Sequence, residues 1–212
     1  MIIANVEATD RKTGTHEYEV NMLHEFGLVS EEFRADPNAL KRKIAALYVE
    51  SAEHDVLFSD YTRGDPEAFL DMFMNPRSVW LEIVRKTDGK TVGCAYMTDV
   101  LLHFDADAHF AVWDGVGSGR EPVFVELIKW AMNRYHLKRM SCEIPASHSG
   151  TIRMVRRLGF SEEGVRRDAV LHTNNDWLDA IMFGILYEEV NDGRWNKEWN
   201  PAGNPWSNSS GG

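Results

Sequence analysis

Apolar and polar positions along the chain follow two periods, and the places where one gives way to the other divide it. Residues 1–36 are polar and irregular, with strands expected only at residues 2–6 and 18–22. From Asp36 the pattern turns helical. Asp36 stands as N-cap, Pro37 fills the first helical position, and Leu40, Ile44, Leu47 and Tyr48 share one face. HDVLFSDYT (54–62) reads as a strand, and GDPEAFLDMFMN (64–75) repeats the cap-then-proline signature for a second helix. VWLEIVR (79–85) and TVGCAYMTDVLL (91–102) read as strands joined across an Asp88-Gly89 turn, and HFAVW (109–113) as a third. EPVFVELIKWAMNRY (121–135) is amphipathic, with Phe124, Leu127, Ile128, Ala131 and Tyr135 on one stripe. KRMSCEI (138–144) is a strand. Ser149 is then expected to cap a short helix whose Ile152, Val155 and Leu158 face inward, with Gly159 as its left-handed terminus and Phe160 packing back. Residues 163–173 and 176–190 form a hairpin around Asn174-Asn175. From Val79 the order is ββ, β, α, β, α, β, β.

This divides the chain into an N-terminal extension with one helix (1–53), a main α/β domain (54–190) and a tail (191–212). The tail is rich in Gly, Asn and Ser yet carries Trp195, Trp199 and Trp206, which read equally as anchors for a protein partner or as rings packing back on their own domain. Across 212 residues, 43% are hydrophobic and 26% charged, enough for a sizeable core. The formal net charge of −10 argues against a nucleic-acid partner held through phosphates. Cys94 and Cys142 sit in apolar, strand-like runs and are expected as buried thiols of a reducing compartment. The start of the chain lacks a basic region ahead of an apolar stretch, and no apolar run is long enough to span a bilayer. A cytoplasmic protein without membrane contact is expected.

The element order carries a local signature: Met140–Ile144, then Ile152-Arg153, then Arg157-Leu158-Gly159-Phe160, then Glu163-Gly164, with Asp179 in the hairpin. Over residues 79–187 this resembles the GNAT acetyltransferase superfamily, most of all its ribosomal-protein N-terminal acetyltransferase branch. The resemblance implies a mixed sheet whose central strands, residues 109–113 and 140–144, splay apart to receive acetyl-CoA. Backbone groups of Ala111, Val112 and Trp113 would meet the pantetheine arm. Gly117, Gly119 and Arg120, in the loop 114–120, would meet the phosphates, as glycine-rich turns before a helix do. His148 stands where the family usually has a pantetheine-binding Asn. Thr151 stands where the ribosomal branch carries a Ser that protonates the leaving thiolate.

Other positions depart from the family pattern. Asp114 replaces a Gln or Arg in the phosphate loop, Pro122 removes one N–H donor, Val155 replaces a Tyr, and Val170 a Glu. For a base that accepts the amine proton, the candidates are Glu82, His109, Glu143 and, best placed, His172. The alternation His103, Asp105, Asp107, His109 reads as a polar connecting loop rather than a metal site. Arg153, Arg156 and Arg157, with Lys138 and Arg139, read either as an attractor for CoA phosphates or as a solvated helix face. Two function classes follow. One is an acetyl-CoA-dependent N-acetyltransferase acting on a primary amine of a protein, peptide or small molecule. The other is a catalytically degenerate member with a structural or binding role, since the chain also resembles GNAT-like proteins of tailed bacteriophages, some of them virion components.

Overall fold

The run Val92–Met97 is buried at every position, so the strand that holds it needs cover on both faces. The rest of the fold supplies that cover. The structure, a computed structural model, describes residues 1–10, 14–26, 28–29, 31–53, 66–113, 121–171 and 176–191. Within these the order begins β1 (Ile2–Asp10), β2 (Gly14–Glu25), β3 (Leu28–Val29), α1 (Glu31–Ala35), α2 (Pro37–Glu53) and α3 (Pro66–Phe73). It continues with β4 (Val79–Arg85), β5 (Lys90–Leu101), β6 (Asp105–Val112), α4 (Glu121–Tyr135) and β7 (Arg139–Pro145). It ends with α5 (Ser149–Arg157), β8 (Ser161–Leu171), β9 (Trp177–Leu186) and α6 (Tyr187–Asn191). One mixed sheet runs β1-β2-β4-β5-β6-β7-β9-β8, with β3 attached to β2. The strand read at 54–62, the loop 114–120, His172 and the tryptophans of the tail lie outside the described residues.

One face of the sheet packs on α4 and α5 through Ala95, Met97, Leu127, Ile128, Ile152 and Val155. The other packs on α2 and α3 through Leu40, Ile44, Leu47, Phe69, Trp80 and Tyr96. Each fully buried side chain of this size contributes roughly 1.5–3 kcal/mol. Cys94 and Cys142 are buried and free. Asp36 caps α2 as expected, its Oδ1 accepting the Asn38 N–H at 3.0 Å. At its far end α4 is moored to β2: Arg134 grips Glu25 with two bonds of 2.7 and 2.9 Å, and the Tyr135 hydroxyl donates to the same carboxylate at 2.7 Å. Among the described residues no helix is long and apolar enough to cross a membrane.

Two sequence expectations change here. The strands expected at 2–6 and 18–22 extend to Ile2–Asp10 and Gly14–Glu25, pair antiparallel over their length, and β2 then pairs with β4, so the N-terminal strands continue the same sheet. Tyr18, Val20 and Met22 supply the buried face of β2, and the polar residues between them hide the alternation. Residues 105–109 are not a connecting loop. They open β6, so Asp105, Asp107 and His109 stand on one side of a strand, and only His103 lies in the turn.

Candidate functional site

The two faces of the sheet are continuous except at one seam. Strand β6 pairs with β5 at seven positions between Gly93↔Val112 and Leu101↔Asp105. On its other side it runs parallel to β7 and shares a single rung, Asp107↔Ser141. Strand β7 instead pairs along its whole length with β9. Beyond Asp107 the C-terminal half of β6 therefore borders an open gap.

Strand geometry decides which backbone groups face that gap. The Trp113 N–H donates to the Val92 carbonyl at 2.8 Å, which points it at β5. Backbone groups alternate sides along a strand, so Ala111 also turns to β5, whereas Val112 and Phe110 turn to β7. A Cβ built on Gly93 would lie 2.6 Å from the Ala111 carbonyl oxygen, which confirms the direction and explains the glycine. Of Ala111, Val112 and Trp113, only Val112 presents its backbone to the gap. Phe110 joins it, a residue that no pattern in the sequence singles out.

Both helices on the gap's far side begin at its open end. Helix α4 follows β6, and α5 follows β7 after a short turn in which the His148 N–H donates to Pro145 at 2.9 Å. The cap of α5 is His148, not Ser149, and its side chain makes no capping bond. The first N–H groups of α5 therefore keep no side-chain acceptor from the cap residue, and a helix N-terminus in that state suits an anion. Thr151 lies in the same first turn, half-buried, and a Cβ on Gly150 would meet nothing within 4 Å. The rest of α5 is core on one side, with Ile152 and Val155 buried. Two of its three arginines are engaged with carboxylates: Arg157 binds Glu121 and Arg156 binds Glu162, each at 2.5 Å. Arg139 binds Glu163 at 2.7 Å.

On the α2 side the gap is walled by a column of rings. Register places Trp80 opposite Tyr96 and Tyr96 opposite His109. The rings stack at 3.9 and 4.5 Å with interplanar angles of 7°. His109 ends the column, held at 3.1 Å from the Thr98 hydroxyl, with its outer face toward β7. Burial pushes its imidazole down to about 4, so the ring is neutral at physiological pH. Burial also raises the Asp107 carboxyl above its ordinary value. A hydrogen bond from Ser141 opposes the rise, and the nearby carboxylates of Asp105, Asp99 and Glu143 add to it. Among the other candidate bases, Glu82 is buried on β4, beyond β5, and is bound by Lys43 and Thr91. Glu143 is bound by Arg166.

The overall fold recurs in solved structures. The chain matches a mutant of the spermidine N-acetyltransferase SpeG from Vibrio cholerae with TM-score 0.63 and 9% identity, covering 82% of this chain and 96% of that one. The fold is that of the GNAT acetyltransferases. RimJ of Mycobacterium smegmatis, in complex with CoA-disulfide, matches with TM-score 0.62 and 13% identity over 88% of each chain. The ribosomal-protein-S5-alanine acetyltransferase of Vibrio fischeri matches with TM-score 0.58 and 14% identity, covering 92% of this chain and 99% of that one. The sequence itself matches no family model and no curated protein. At these identities the shared property is the GNAT fold, and in that fold the gap between β6 and β7 is the splayed pair anticipated from the sequence.

Proposed function

We propose that this chain transfers the acetyl group of acetyl-CoA to a primary amine. The observation that carries the reading is the single rung between β6 and β7, which leaves backbone donors and acceptors of Phe110 and Val112 facing a slot instead of a neighbouring strand. A buried backbone group without a strand partner needs another partner, and an extended amide-bearing arm supplies one. The uncapped start of α5 and the room beside Gly150 suit the pyrophosphate of the same molecule.

Acetyl-CoA would supply an activated acyl group, and the chain's own work is then modest. The backbone N–H of Phe110 or Val112 holds the thioester carbonyl oxygen as negative charge develops there. The amine nitrogen bonds to the carbonyl carbon, the carbon–sulfur bond breaks, and the thiolate takes a proton from the Thr151 hydroxyl. His148 flanks the arm on the α5 side. The amine must reach the slot neutral, and Asp107, with its raised carboxyl at the root of the gap, is a second candidate to accept its proton beside His172. Neutral His109 forms the wall. Gly117, Gly119 and Arg120 complete the reading as phosphate contacts.

The test is calorimetric titration and thermal unfolding of the full chain with millimolar acetyl-CoA. At 100 times the dissociation constant the ligand adds about 2.7 kcal/mol, a shift of several degrees for a chain of this size. Neither heat nor shift would remove the reading and leave a GNAT fold without its acyl donor. Heat with CoA but no acetyl transfer to any primary amine would keep the site and remove the activity.

A further inference from the structure

Among the described residues the C-terminal end of β6 has no strand partner on the β7 side past Asp107, so its position depends on what holds it from elsewhere. Two contacts do so at Trp113. Its backbone N–H is bonded to Val92 on β5, and its indole Nε1–H donates to Glu50 Oε2 on α2 at 3.1 Å. The indole is buried in one cluster with Leu47, Cys94 and Ala111, and its charge-assisted bond to half-buried Glu50 is partly shielded from solvent. Glu50 lies seven residues after Lys43 on the sheet-facing stripe of α2, and Lys43 binds Glu82 on β4. Helix α2 thus grips the sheet at two polar points, one beside the core of β4 and one at the lip of the gap.

We propose that Glu50 is a positioning residue for the acyl donor. Through the Trp113 indole it draws the end of β6 toward β5 and α2, which keeps the gap open and sets where the backbone of the adjacent Val112 stands. Loss of the carboxylate frees the indole and lets the strand end drift toward β7, the side on which, among the described residues, it has no strand partner past Asp107. Glu50 touches neither ligand nor reacting atoms in this account. Its effect reaches the slot through one side chain and one peptide unit. The inference rests on the acetyl-CoA reading above and adds to it a residue 63 positions away in sequence from its partner.

The experiment is calorimetric titration of acetyl-CoA into the full chain carrying Glu50→Ala, Glu50→Gln, Trp113→Phe or the Glu50→Ala/Trp113→Phe pair, with unfolding midpoints measured alongside. Glu50→Ala and Trp113→Phe are each expected to weaken binding about tenfold, the size of one lost charged hydrogen bond. The double variant should lose no more than either single, because both remove the same link. Glu50→Gln keeps an acceptor and should stay within about threefold of wild type. Arg134→Ala is the control for stability alone, since it removes two of α4's three bonds to Glu25 at the end remote from the gap. It should lower the unfolding midpoint without changing affinity. Wild-type affinity in Glu50→Ala, or losses that multiply in the double variant, would overturn the assignment while leaving the acetyl-CoA reading intact. A wild-type chain that does not bind acetyl-CoA would overturn that reading, and this inference with it.

Discussion

Strand β6 has two edges that differ in kind. Against β5 it is zipped antiparallel from Leu101↔Asp105 to Gly93↔Val112, while against β7 it touches once, at Asp107↔Ser141. The same eight residues make both edges, so composition does not separate them. What separates them is which neighbour offers a ladder. The antiparallel edge satisfies its backbone internally and supplies stability. The parallel edge leaves backbone groups facing a gap, which is where the proposed acyl donor would bind.

The sharpest way to break the comparison is to remove one N–H from each edge. Ala111→Pro deletes a group turned toward β5 and should cost about 3 kcal/mol or more, read as a fall in the urea midpoint. Val112→Pro deletes a group turned toward the gap and should change stability by less than about 1 kcal/mol, yet abolish the acetyl-CoA shift. If the two variants behaved alike, the backbone phase given for β6 would be wrong. A smaller effect tests closeness on the zipped side. Gly93→Ala places a Cβ against the Ala111 carbonyl oxygen, an overlap of 2.6 Å, and should destabilise by about 1–3 kcal/mol.

Acidity tests the wall at the root of the gap. His109 has a folded value near 4, against about 6.5 in the unfolded chain, so between these values the unfolded chain binds more protons. Stability should therefore fall as pH drops from about 6.5 toward 4, by about 2–3 kcal/mol from this residue. His24, also pushed down by burial, acts in the same sense. The raised Asp107 carboxyl acts in the opposite sense, its contribution lost as pH rises above the ordinary carboxylate value. Urea midpoints at pH 4.5 and 7 should show a shallower drop in His109→Phe, which keeps the stacking and loses the titration.

Legibility in the sequence followed range of interaction. Helix α4 was read to its terminal residues, because Glu121, Pro122 and an unbroken apolar stripe are local signals. The splayed pair was legible through Leu158-Gly159-Phe160 and the strands around it. The N-terminal hairpin was not, because polar residues on one face of β2 dilute its alternation within any short window. At the site, Val112 and His148 could be chosen from resemblance. Phe110 could not, since the direction of a backbone N–H depends on the partner strand's register and no side chain records it. The ring column is of the same type. Trp80, Tyr96 and His109 meet only because two ladders bring them into line. Asp107 looked like one acid in a polar run, and its raised carboxyl comes from burial that follows from the rung beside Ser141.

The two buried cysteines would make the proposed acetyl transfer simple to measure. Burial pushes the thiols of Cys94 and Cys142 each up to about 12, so neither forms thiolate at neutral pH, and both are screened from solvent. A disulfide dye that reports free thiol would therefore find none to react with on the folded chain. Every equivalent of colour released during turnover would belong to the departing CoA, and an acceptor screen could be read continuously in plain absorbance, without separating enzyme from product.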